Sequence, residues 1–82
     1  MIKDKEIREE KRRFTRKLEE LLKADPRSGV SSCEYFTKEA FGSVQEYIDL
    51  KMRSGIISRI CVTGDSLGMI IRDITKKVYH YG

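Results

Sequence analysis

The sequence predicts an α+β fold: a long N-terminal helix, two short helices and a C-terminal β-hairpin, within a single domain spanning 1–82. Three observations carry that expectation. Residues 2–24 hold no Gly or Pro and are rich in Lys, Arg, Glu and Leu, all good helix formers. Residues 32–53 repeat apolar side chains at helical spacing. Residues 56–62 form a short β-branched run preceded and followed by glycines. A chain of 82 residues has room for one core and little else. It buries only about 60–65% of the surface its unfolded form exposes, so a partner or a second copy can matter to its stability.

In the first segment Ile7, Phe14, Leu18 and Leu21 line a narrow stripe that Lys11 interrupts. The expectation is that Phe14 to Leu22 packs on the core. The first half then projects, or pairs with another copy as a short coiled coil. Asp4–Arg8 and Glu9–Arg13 are i,i+4 pairs in the favourable order. Ala24-Asp25-Pro26-Arg27-Ser28-Gly29 ends the helix, because Pro26 cannot continue it and pushes Asp25 towards extended geometry.

In the second region Phe36, Ala40, Phe41, Val44, Tyr47, Ile48 and Met52 recur at helical spacing, with Gly42-Ser43 in the middle. Ser43-Val44-Gln45-Glu46 and Ser31-Ser32-Cys33-Glu34 both match the S-x-x-E capping box, in which serine and glutamate satisfy each other's orphan amides. The reading is two short helices, about 33–41 and 44–53, with a tight turn at Gly42; one bent helix is the alternative. Ser54-Gly55 supplies a C-cap. Ile56 to Val62 is the strand candidate, and Thr63-Gly64-Asp65-Ser66 a turn. Leu67 to Tyr81 fits two patterns. Leu67, Ile70, Ile71, Ile74 and Val78 suit an amphipathic helix capped by Asp65, whereas Gly68 and the β-branched content suit a strand hairpinned to 56–62. The hairpin is the reading taken.

Charged residues make up 37% of the chain, above an ordinary level of roughly 25%, and the net charge is +4. Residues 1–24 carry nine Lys/Arg against six Asp/Glu, and within Arg8–Lys17 six basic residues face two acidic ones. Such a patch attracts phosphate backbones, anionic lipid heads or an acidic protein face. Arg8, Arg12 and Arg16 form an i,i+4,i+8 stripe suited to a phosphate backbone, with Arg13 and Lys17 beside it. The plainer alternative is a solvated face neutralised by Asp4, Glu9, Glu19 and Glu20. The tail Lys76-Lys77-Val78-Tyr79-His80-Tyr81 also sets basic residues beside aromatics, a composition that binds phosphates and stacks bases, although docking by Val78 and the tyrosines accounts for it equally.

The segment from Ser43 to Ile57, a helical run ending in Leu50-Lys51-Met52-Arg53-Ser54-Gly55-Ile56-Ile57, resembles the winged helix-turn-helix family, over roughly residues 32–75. The resemblance implies a winged-helix-like, DNA-binding regulator of transcription; pairing of the first helix with that of another copy would make it a dimer. Helix 44–53 would enter a major groove and bring Ser43, Gln45 and Lys51 near DNA. The chain departs from that pattern at Glu46 and Asp49, which phosphates repel, and at Asp65 on the hairpin tip. Those carboxylates favour a different class, a protein-interaction module (adaptor, assembly factor or inhibitor) that meets its partner through the N-terminal helix. A third option is RNA binding. The loop from Gly64 to Gly68 resembles the Gly-x-x-Gly loop of KH modules with one residue too many, and would require a helix after Gly68.

Catalysis finds no support. Gly64-Asp65-Ser66-Leu67 spells the block of the GDSL hydrolases, but the partner Asp-x-x-His is missing, and a serine without an oriented base is not activated. Cys33, Cys61 and His80 are the only Cys and His residues, one short of a four-ligand zinc site, and they suggest reduced thiols rather than a disulfide scaffold. The start Met-Ile-Lys-Asp-Lys-Glu is not a signal peptide, and the apolar stretch Leu67–Ile71 is too short to span a bilayer. The expectation is a cytoplasmic or nuclear protein with no cofactor, no small-molecule substrate and no membrane contact. Its partners would be nucleic acid, another protein or a second copy of itself.

Overall fold

Burial in the middle of the chain alternates residue by residue, and that settles its architecture. Glu46, Ile48 and Leu50 are buried, while Gln45, Tyr47, Asp49 and Lys51 between them face the other way. Alternation of this kind belongs to a strand, whose successive side chains point to opposite faces. The structure, a computed structural model, describes residues 4–79. Its elements in order are α1 (Asp4–Ala24), β1 (Val30–Ala40), β2 (Ser43–Met52), β3 (Ile57–Cys61) and α2 (Leu67–Tyr79).

The strands form an antiparallel sheet in the order β1-β2-β3. Phe36 stands opposite Tyr47 and Tyr47 opposite Cys61; likewise Glu34, Asp49 and Arg59 share one rung. Phe41 and Gly42 connect β1 to β2 with φ of 52° and 78°, the two positive values that a type I′ hairpin turn requires. A register shift between Val30 and Ser32 inserts one extra residue, which lets Val30 and Cys33 both be buried although they stand an odd number of positions apart.

Both helices cover the same sheet face. Leu18 and Leu22 of α1 and Ile70, Ile74 and Val78 of α2 share one buried cluster with Val30, Cys33, Tyr35, Ile48, Leu50 and Val62. The opposite face, bearing Phe36, Tyr47, Asp49 and Arg59, is covered by no element among the described residues. Ser66 caps α2 by accepting the Met69 amide at 3.2 Å. At the other end Tyr79 donates to Asp25 Oδ2 at 2.6 Å, tying the last turn of α2 to the turn that follows α1.

The expected α1 and the strand near 56–62 are present, and the α+β class holds. The two short helices and the C-terminal hairpin are not. Segments 33–41 and 44–53 lie in β1 and β2, and the segment after Leu67 is a helix, so the winged-helix-like arrangement is overturned. The helical spacing was produced by apolar residues on both faces of two strands: Phe36 and Tyr47 outside, Tyr35 and Ile48 inside. In α1 the inward positions are Lys11, Thr15, Leu18 and Leu22, whereas Leu21 is 68% exposed. Tail residues His80 and Tyr81 lie outside the described residues.

Candidate nucleic-acid interface

The site begins with what α1 buries. Lys11 reaches under the helix, and its Nζ stands 3.0 Å from both carboxylate oxygens of Glu46 on β2. Tyr35 of β1 donates its hydroxyl to Glu46 Oε2 at 2.5 Å, and the Gly64 amide donates to Oε1 at 3.2 Å. Burial pushes the Glu46 carboxyl towards neutrality, but the bonds from Tyr35, Lys11 and Gly64 outweigh it and hold its pKa below the ordinary value. The Tyr35 phenol moves the opposite way: burial, and then the carboxylate beside it, raise its pKa. Capping boxes at Ser43 and Ser31 do not form, because Glu46 serves this cluster and Glu34 lies on a strand. Lys11 is therefore not a break in the packed face of α1 but part of it, and the helix is fastened well before Phe14.

With Lys11 turned inward, the other α1 cations are left outside. Arg12 lays its guanidinium 5.6 Å from the centre of the Tyr35 ring. Arg12 and Arg16 border a shallow recess of about 190 Å3 with Cys33 and Glu34 of β1. Arg13 and Lys17 border another, of about 220 Å3, with Phe14 and Leu67. Arg8 stands apart from both, in a recess of about 520 Å3 shared with Val44, Glu46 and Asp65. Among the described residues, the ion pairs within 4.0 Å are Lys11–Glu46, Arg27–Asp25 and Arg59–Asp49. None holds Arg12, Arg13, Arg16 or Lys17, and the expected Glu9–Arg13 pair does not form; the Asp4 side chain lies outside the described ones. Glu19 is likewise diverted, accepting the Cys33 backbone amide at 2.9 Å.

The other expected contacts are scattered. Ser43, Gln45 and Lys51 sit on β2 rather than on a groove-reading helix, and share the uncovered face. Gln45 donates to Ser43 Oγ at 3.1 Å and accepts from Thr63 at 3.2 Å. Lys76 and Lys77 are exposed in the last turn of α2, where Lys77 borders a recess with Leu50, Met52 and Ser58 that no α1 cation lines.

Two features besides the Lys11–Glu46 cluster escape the sequence reading. On the uncovered face Phe36 and Tyr47 stack with centroids 5.6 Å apart, and Arg59 lies 4.8 Å from the Phe36 centroid while pairing with both oxygens of Asp49. That grouping depends on strand register, which no local pattern reveals. The second is Phe41, fully exposed at the hairpin tip; its signal was the Phe-Gly pair between two strand-length segments.

Among the described residues no group of three or more His, Cys, Asp or Glu stands ready to hold a metal, and no helix is long and apolar enough to cross a membrane. Comparison with protein-family models, with curated proteins and with solved structures finds no match. The functional reading rests on the geometry alone.

Proposed function

We propose that this protein binds the phosphate backbone of nucleic-acid duplexes through the exposed cations of α1, without reading base sequence and without catalysing a reaction. One observation carries the reading: Arg12, Arg13, Arg16 and Lys17 are all exposed and have no carboxylate within 4.0 Å among the described residues. Two acids are engaged elsewhere, Glu19 on a backbone amide and Glu46 on Lys11, while Glu10 and Glu34 line the same recesses as these cations without pairing with them within 4.0 Å. Cations in this state are free to neutralise phosphates, and the counterions condensed on the duplex that they release drive binding. Base discrimination needs side chains reaching groove edges, and with 44–53 in a strand the helix assigned to that task is gone.

The test is a salt titration with labelled duplexes of unrelated sequence. Four phosphate contacts predict a slope of log K against log salt of about −3.6, and the same slope for every sequence. Replacing Arg12 and Arg16 by Ala should flatten it by about 1.8. Absence of binding at low salt, or a slope indifferent to those replacements, defeats the reading.

A second reading, a protein-interaction module, draws on the exposed apolar side chains Phe41, Ile56 and Ile57. It predicts a stoichiometric complex with a protein that survives moderate salt and nuclease.

A further inference from the structure

Phe41 occupies a position that suits Asn, Asp or Gly better. It takes a φ of 52°, where bulky side chains are rare, and turns of this geometry favour Asn-Gly or Gly-Gly. Among the described residues its ring is fully exposed, at 108% of the reference surface. Among the described residues nothing offsets the backbone cost or covers the ring, which directs attention to a contact outside the protomer.

A matching socket stands at the same end of the molecule. Val44, three residues along the same hairpin, forms one apolar wall of the 520 Å3 recess, and Ile7 of α1 forms another. Both are over a third exposed, at 37% and 36%. Arg8 and Asp65 line this recess with a charge of each sign beside the Lys11–Glu46 pair, and Lys38 and Glu39 flank the hairpin tip with one of each. Each copy therefore carries an apolar knob, flanked by one cation and one carboxylate, and a recess with two apolar walls that is lined by two of each. When both halves of a contact lie on one surface, a two-fold axis closes the assembly at two copies.

We propose that this end is a homodimer interface, in which Phe41 of each copy enters the Ile7–Val44 recess of the other. Lys38 then meets the partner's Asp65, and Glu39 the partner's Arg8. The inference does not depend on nucleic-acid binding, which uses the exposed cations further along α1.

The chain contains no Trp, so Phe41→Trp gives a single reporter. In the full chain without nucleic acid, Trp emission should shift to shorter wavelength as protein concentration rises, in step with dimer formation by sedimentation. Ile7→Glu, at an exposed helix position, should weaken dimerisation roughly thirtyfold, the effect of losing an anchor contact, with the circular dichroism spectrum unchanged. Lys38→Asp should weaken it too, and adding Asp65→Lys in the same chain should restore it. A monomer at every concentration overturns the proposal. So does a dimer indifferent to Ile7→Glu, or a tip Trp that responds only when duplex is added, which would assign the ring to base stacking.

Discussion

The two faces of the sheet meet nearly the same set of groups at β2. Beneath α1, Lys11, Glu46 and Tyr35 join a cation, a carboxylate and an aromatic ring; on the uncovered face Arg59, Asp49 and the Phe36–Tyr47 pair do the same. The difference is water. Side chains of the inner ion pair are 5% and 11% exposed, those of the outer pair 48% and 22%. Solvent screens the outer pair and would hydrate either partner left alone, so it fixes geometry more than it stabilises. The inner pair has given up hydration on both sides. Loss of one partner there strands a charge.

The largest expected effect follows from that contrast. Glu46→Ala should lower unfolding free energy by about 3–5 kcal/mol in urea titrations, because it leaves Lys11 buried and unpaired. Lys11→Met combined with Glu46→Leu should recover most of the loss, since an apolar pair needs no hydration. If Glu46→Ala costs no more than Asp49→Ala, the contrast between the faces is not energetic.

Acid provides the second test. Glu46 is held below its ordinary value of 4.5 in the folded protein, so it contributes stability above that pH and loses it as pH falls through the folded pKa. Thermal midpoints measured from neutral pH downwards should drop below about pH 4.5. That drop should shrink in the Lys11→Met/Glu46→Leu protein. Some should remain, because Asp25 is also held low, chiefly by its bond from Tyr79.

Cysteine labelling sharpens the comparison on a smaller scale. Cys33 is buried on the inner face, and burial with nearby Glu19 pushes its thiol up to about 11; Cys61 is exposed on the outer face. At neutral pH one thiol should label quickly, and Cys33 only as the chain unfolds. The smallest effect belongs to the outer pair: Asp49→Ala should leave the urea midpoint unchanged within measurement.

The inner cluster also explains what the sequence concealed. α1 was legible from its composition and its stop at Asp25-Pro26, and β3 from its β-branched run. The middle was not, because Glu46 breaks the alternation of Val44, Ile48, Leu50 and Met52 that marks a strand. Lys11 breaks the apolar stripe of α1 in the same way. Each looks like a fault in its own segment, and only the fold shows that the two faults are one contact. In α2, Ile70, Ile74 and Val78 keep helical spacing, and Gly68, which also suits a strand, sits in the first helical turn, exposed, where it obstructs nothing. The basic residues of α1 could be read directly, but not which of them lacked partners, since that depended on where Glu19 and Glu46 turned.

Glu19 has one further consequence. By accepting the Cys33 amide it occupies a backbone donor on the outer edge of β1, the edge where another strand would attach. An incoming strand there must first displace a carboxylate and then lie beside its charge. The sheet is thereby given a direction: β3 is the easier edge to lengthen, and copies added edge to edge meet an obstacle at every β1. A fibre needs both edges to be receptive. Glu19→Ala removes that obstacle, and light scattering at high protein concentration should show a greater tendency to associate edge to edge than in the parent.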